Sequence, residues 1–299
     1  MSHDHDHPIT KYNHAFAIGI ALNVIFVVVE VVYGVAADSL ALITDAGHNV
    51  SDVLGLLLAW GAGLLAAKAA TEKRTYGFRK VTVMASLASA TLLLVALGGI
   101  TWEAIGRFFA PKPVDGMIVI VVAAIGVVIN TVTALLFVSG QKQDLNIRGA
   151  FLHMAADAGV SLGVVVGGVI MMVTGWLMVD PLISLLIVAV ILVGTWSLLR
   201  DSMNLAIDAV PEGIDMAGIR SYLNGFENVC SIHDLHVWPM STTEVALSVH
   251  CIMMDDASKD DFLSHLQQQL HDRFGIEHST IQIERQGDCP CVLDKEGCI

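Results

Sequence analysis

Within an otherwise apolar run of Leu, Ala, Ile and Val lies the segment Asp45-Ala46-Gly47-His48-Asn49-Val50-Ser51-Asp52. An ionisable side chain at the centre of a bilayer costs on the order of 3 kcal/mol unless it is paired, protonated or bound to an ion, so such a group reads as a functional site. His48 and Asp52 are four residues apart, which places both side chains on one face of an α-helix. A second apolar run repeats the pair as His153-Met154-Ala155-Ala156-Asp157. Two imidazole nitrogens and two carboxylate oxygens, brought together from neighbouring helices, form the donor set that Zn²⁺ takes in tetrahedral geometry. Mg²⁺ fits poorly because it wants octahedral oxygen ligands, and the lack of sulfur at the ligand positions disfavours Cu(I). Cd²⁺, Co²⁺ and Ni²⁺ accept the same donors, and the spacing does not rank them. A lone His on an apolar helix reads as a packing contact; the repeat of the whole pair makes His48, Asp52, His153 and Asp157 a metal site.

Long apolar helices must position these residues. Of the 299 residues 55% are hydrophobic and only 15% charged, with a mean hydropathy of +0.67, against roughly 45–50% apolar and 25% charged in soluble domains. Runs long enough to span a bilayer occupy residues 16–36, 40–67, 81–105, 114–138, 151–176 and 181–199. The expectation is an α-helical membrane protein, a six-transmembrane-helix bundle over residues 14–208. The first run is no cleavable signal peptide, because it follows an acidic, His-rich start and is too long for the apolar core of one. Lys68, Lys73, Arg74, Arg79 and Lys80 follow the second run, Lys142 and Arg148 the fourth and Arg200 the sixth. The enrichment of cytoplasmic loops in Lys and Arg then places both termini in the cytoplasm.

Other polar residues receive milder readings. The leader, residues 1–13, alternates His3-Asp4-His5-Asp6-His7, a tract that either captures metal or is a tolerated polar tail. Glu30, with Asn23 in the first helix, is turned toward the bundle or a subunit contact rather than serving as a ligand. Asn130 reads as a hydrogen-bonding partner. Ala85, Ala88 and Ala90 among Ser86, Ser89 and Thr91 mark the third helix as a close-packing or dimer surface.

After Arg200 the composition changes, and Val210-Pro211-Glu212-Gly213 marks a boundary. Residues 214–226 and 259–274 have helical periodicity; 229–238, 244–253 and 279–284 read as strands. The order α-β-β-α-β predicts a small cytoplasmic α+β domain over residues 209–286, ferredoxin-like or metallochaperone-like, with two helices covering a three-stranded sheet. Alternation puts Glu244, Ser248 and His250 on one face of the second strand, and Gln282 and Glu284 on one face of the third. His250 and Glu284 can then converge. His233 and His236 fall on opposite faces of a regular first strand, and the pattern does not choose between them. The tail, residues 287–299, carries Cys289-Pro290-Cys291 and Cys298, unlike the usual C-x₂-C zinc spacing; metal binding and inertness stay open, and a reducing cytoplasm disfavours a disulfide.

The paired His-x-x-x-Asp motifs, the six-helix layout and the segments Ser39-Leu40-Ala41-Leu42, Tyr76-Gly77-Phe78-Arg79, Trp102-Glu103-Ala104-Ile105 and His233-Asp234-Leu235-His236-Val237-Trp238 resemble the cation diffusion facilitator family, most closely its bacterial zinc exporters. The likeness covers nearly the whole chain. It implies a homodimer, no enzymatic activity, and exchange of Zn²⁺ for protons by alternating access, with His48, Asp52, His153 and Asp157 as the transport site. It also implies that His233, His250 and Glu284 are cytoplasmic zinc ligands and that Cys289 and Cys291 occupy the place of a Cys pair in animal relatives. Where several relatives carry His in the connections after the second or fourth helix, residues 72–80 and 141–146 contain none, so no auxiliary site is expected there.

Zinc binding needs neutral imidazoles and ionised carboxylates, so protons and metal compete for one site. The formal charge of −13, with a visibly acidic C-terminal domain, suits cations rather than nucleic acid or an anionic membrane surface. An intramembrane metalloprotease needs a general base, as in H-E-x-x-H, and that motif is absent. A metal-selective channel or a sensor without proton coupling uses the same ligands and stays as the alternative. The lipid bilayer is the surrounding partner, and the lack of a targeting leader fits a bacterial inner membrane.

Overall fold

The structure, a computed structural model, describes residues 13–138, 145–226, 229–253 and 259–285. His3, His5, His7, Cys289, Cys291 and Cys298 lie outside the described residues. Six apolar helices come first: α1 (Asn13–Ala36), α2 (Leu40–Ala66), α3 (Val81–Phe109), α4 (Gly116–Phe137), α5 (Leu145–Thr174) and α6 (Val179–Ala206). Five of them contain spans long and apolar enough to cross a membrane, and Ala21–Ala36 is a shorter apolar helix. A small α+β domain follows: α7 (Met216–Asn224), β1 (Val229–Pro239), β2 (Val245–Met253), α8 (Lys259–Phe274) and β3 (His278–Arg285). The described residues fall into two compact units, one within Met1–Leu57 and Ser89–Ser197, the other within Leu58–Ala88 and Leu198–Ile299.

In the first unit, sequence sets where each helix begins. The turn after α1 places Asp38 at φ 51°, a left-handed conformation that Asp tolerates better than most residues. Ser39 then caps α2, its Oγ accepting from the N–H of Leu42 at 3.3 Å. Asp115 caps α4, accepting from Met117 and Ile118 at 3.1 and 3.2 Å. Two further free N–H groups of α2, on Leu40 and Ala41, donate to the carboxylate of Asp180 at 2.8 and 3.2 Å, and Ser39 Oγ donates to it at 2.6 Å. A buried anion at a helix N-terminus answers both the orphan donors and the positive end of the dipole. Arg107, near the end of α3 and itself buried, lies 3.5 Å from Asp180 and donates to Asp38 at 2.6 Å. One turn on, Thr44 and Ser184 share a 2.6 Å hydroxyl bond. These contacts fix α2, α3 and α6 at the end where α2 starts, and so fix the height of every later residue on α2.

The core of this unit is built from Phe26, Leu42, Leu97, Val119, Val122, Val164 and Ile187, all nearly inaccessible. Glycine is required where α4 meets α1, because a Cβ on Gly126 would stand 2.5 Å from the Phe26 ring. The close approach of α4 and α5 likewise needs Gly168, whose Cβ would meet Ile120 at 2.7 Å. Small residues let helices pack without a hydrophobic drive between them.

In the second unit the sheet runs β1-β2-β3, with β1 antiparallel and β3 parallel to β2. Ile219 and Leu223 of α7 and Leu266 and Leu270 of α8 pack on Leu247, Val249 and Cys251 of β2. The connection between α2 and α3 docks against this domain. Arg79 pairs with Glu244 at 2.7 Å, Lys80 bonds Asp208 and, at 2.9 Å, the carbonyl of Pro239, and Tyr76 stands edge-on to His278. Gly77, at φ 67°, makes the turn that presents Arg79.

Replacing Asp180 with Ala strips an anion from three donors and from buried Arg107. Stability to urea in detergent micelles is expected to fall by about 3 kcal/mol, the usual cost of orphaning a buried charge; an unchanged midpoint would show that the anchor is dispensable.

Candidate metal centres

His48 and Asp52 lie one turn apart on α2, and His153 and Asp157 one turn apart on α5. The helices bring the pairs face to face. Nε2 of His48 is 3.7 Å from Asp52 Oδ2 and 3.6 Å from Asp157 Oδ1; Nε2 of His153 is 3.1 Å from Asp52 Oδ2 and 3.6 Å from Asp157 Oδ2. Each imidazole therefore meets one carboxylate of its own helix and one of the other, closing a ring in which nitrogen and oxygen alternate. With metal–ligand bonds of about 2.0–2.1 Å, a tetrahedron has edges of roughly 3.3 Å, the size of these separations. Asp52 Oδ2, Asp157 Oδ2 and His48 Nδ1 are buried and make no aligned hydrogen bond among the described residues. Close ligand atoms that are not hydrogen-bonded to each other are suited to bond a common third body. Asp157 is 4% exposed and His153 43%, so the ring is closed behind Asp157 and open beside His153.

Several polar neighbours went unrecognised in the sequence or behave differently from expectation. Glu30 does turn into the bundle: it is fully buried and accepts a hydrogen bond from Asn49 at 3.1 Å. Asp45, to which spacing assigns no partner, is also buried, and Ser161 donates to it at 3.1 Å. Its signal was its place three residues before His48, one turn along the same face. Asn130 is fully buried, yet neither amide atom finds a partner among the described residues. Asn23 donates to the sulfur of Met154 at 3.5 Å.

The second centre depends on a defect in β1. His233 stands opposite His250 and His236 opposite Ser248, so an extra residue is accommodated between the two pairs. Asp234, at φ 51°, forms that bulge, and the one-residue slip turns His236 to the same face as His233. The regular alternation that would separate them does not hold. His250 Nδ1 lies 3.0 Å and His233 Nε2 3.6 Å from the carboxylate of Glu284, and the two imidazoles meet edge-on at 5.0 Å. One ligand atom from each of His233, His250 and Glu284 lies within 4.8 Å of the others. Both ring nitrogens of His233 are buried without a hydrogen-bond partner among the described residues, which a metal would remedy. Asp234 lies beside the site, 3.6 Å from His250 and hydrogen-bonded to His236 at 2.8 Å; strand alternation carries no sign of this. Glu244 lies just before β2, so strand alternation does not extend to it, and its carboxylate is held by Arg79. Cys251, the residue after His250, faces the core, and burial pushes its thiol up to about 11. Its side chain therefore lies on the opposite face of β2 from His250.

Comparison with known proteins agrees with this architecture. Residues 16–205 match the cation efflux transmembrane domain and residues 211–286 the cation efflux protein cytoplasmic domain. The metal cation efflux system protein CzcD of Cupriavidus metallidurans is 37% identical over 284 residues, covering 94% of this chain and 89% of that protein. The zinc transporter ZitB of Escherichia coli is 34% identical over 300 residues, 97% of this chain and 94% of its own. The cadmium, cobalt and zinc/H(+)-K(+) antiporter of Bacillus subtilis is 31% identical over 291 residues, 96% and 93%. Two domains matched in their proper order, and relatives matched over nearly their full length, lead to one assignment: the chain is a multi-pass membrane protein of the cation diffusion facilitator family of metal cation efflux transporters, in its zinc-exporter branch.

Proposed function

We propose that the chain exports Zn²⁺ from the cytoplasm in exchange for protons, binding the ion at His48, Asp52, His153 and Asp157 and exposing it alternately to the two sides of a bacterial inner membrane. The observation that carries this reading is the closed ring of 3.1–3.7 Å contacts between the two His-x-x-x-Asp pairs. Zinc enters when both imidazoles are neutral and both carboxylates ionised. Protons compete for the same atoms, so each proton displaced makes zinc affinity fall about tenfold per pH unit on the acidic side. On the more acidic face, protonation of the imidazoles favours release, and the protonated carrier returns.

Cd²⁺ and Co²⁺ are named among the cargo of the Bacillus relative, and the same nitrogen and oxygen donors would accept them here, as they would Ni²⁺. The working unit is a homodimer joined through the C-terminal domains, with both termini in the cytoplasm. Zinc held by His233, His250 and Glu284 stabilises one arrangement of those domains and so regulates transport; Cys289 and Cys291 are auxiliary donors in this reading. A channel of the same ligand set would pass zinc only down its gradient.

Zinc uptake by everted vesicles carrying Asp52→Ala or Asp157→Ala is expected to drop to background with the protein still folded in the membrane, since each change opens the ring. Uptake within a few-fold of the parent in either variant would remove the four-ligand site.

For the C-terminal domain, zinc at about 100 times its Kd should slow amide exchange in β1 and β2 by up to about 100-fold, read by hydrogen–deuterium exchange on the full chain. His250→Ala should abolish that protection; equal protection in the variant would place the ion elsewhere.

A further inference from the structure

The ring of metal ligands leaves two buried carboxyls beside it without a task. Glu30 on α1 is 0% and Asp45 on α2 1% exposed, and Asn49, one turn along α2 from Asp45 and on the same face, donates to Glu30, so both carboxyls sit on one side of α2. Asn49 serves Oε2 of Glu30 and Ser161 serves Oδ2 of Asp45, each at 3.1 Å. That leaves Oε1 of Glu30 and Oδ1 of Asp45, both sealed from solvent and without a donor among the described residues. Buried acceptors without donors are costly, and two ionised carboxylates buried close together repel strongly where the dielectric constant is low. One hydrogen between them removes both penalties, since it supplies the missing donor and halves the charge.

Among the described residues no basic side chain bonds to the pair. The charged groups one helical turn away are His48, three residues after Asp45 on α2, and Asp157, four residues before Ser161 on α5, which bonds Asp45. Gly126 of α4, beside Ser161 and Phe26, brings no charge. The pair bonds to none of the four metal ligands. Asp45 nevertheless precedes His48 by one helical turn, close enough for a divalent charge in the ring to be felt.

We propose that Glu30 and Asp45 bind one proton between them and give it up when a divalent cation enters the neighbouring ring, forming a proton site separate from the metal ligands. The ion's charge favours the doubly ionised pair, and departure of the ion favours recapture of the proton. The carrier then exchanges one proton more than its metal ligands alone displace. The use of this proton in transport rests on the exchange reading above; its place in the fold does not.

The test counts protons released per zinc bound by the purified full chain in weak buffer, with a pH-indicator dye, while calorimetry follows zinc binding in the same preparation. All samples carry His250→Ala so that the membrane site is read alone. In Glu30→Gln the amide still accepts from Asn49 and donates to Asp45, leaving the pair bonded but without a proton to lose. The expected result is about one proton fewer per zinc, with zinc affinity lowered about tenfold because loss of that proton is coupled to binding. An unchanged count in a variant that still binds zinc overturns this inference alone; a parent that releases no proton overturns it together with the exchange reading. Asp45→Asn gives the mirror-image replacement and is read in the same way if Glu30→Gln fails to fold.

Discussion

Charge inside an apolar medium is the constraint on which the rest of this molecule depends. His48, Asp52, His153 and Asp157 are tolerated in helices made of Leu, Val, Ala and Gly only because they face each other, and they face each other only if α2 and α5 keep their axial register. A slip of one residue along either helix would rotate a pair by about 100° and break the ring. Much of the remaining polar chemistry of the first unit serves that register. Asp180 holds the start of α2 through three donors, Arg107 ties the same point to α3, and Thr44 and Ser184 continue the tie one turn further.

The two centres achieve their ligand sets by different means. In the membrane, the 3.6-residue repeat of a helix places His and Asp at four-residue spacing on one side, and two copies suffice. In the sheet, strand alternation alone would put His233 and His236 on opposite faces, and a bulge at Asp234 repairs the mismatch. The bulge also leaves Asp234 beside His250, its carboxylate 3.6 Å from the imidazole. A carboxylate behind a His ligand fixes its tautomer and raises its basicity, the usual support for a zinc-binding imidazole.

Legibility followed the same division. The six apolar helices, the α-β-β-α-β order and the two His-x-x-x-Asp pairs could be read because each is a local pattern with its own period. Convergence of His250 with Glu284 could be read from parity along two paired strands. Features that depend on a contact between distant elements could not. Nothing in the chain near Asp180 says that it caps α2 some 140 residues earlier, and nothing near Glu30 says that it will bond Asn49 of α2. Glu244 shows the opposite error: alternation put it with His250, but the strand begins one residue later and Arg79 takes the carboxylate. Asn130 reads as a hydrogen-bonding partner because an amide is a poor zinc ligand, yet among the described residues its amide atoms find no partner.

The central claim, that zinc and protons compete for one ring of ligands and thereby exchange across the membrane, is tested most directly in proteoliposomes of the purified protein. With zinc at equal concentration on both sides and an imposed pH gradient, the account predicts that zinc accumulates against its own gradient in the more acidic compartment. A His48→Ala, Asp157→Ala double variant should show no such accumulation. Zinc that equilibrates at the same rate and to the same level whatever the pH gradient would contradict it, and would leave a channel or a purely metal-driven carrier in its place.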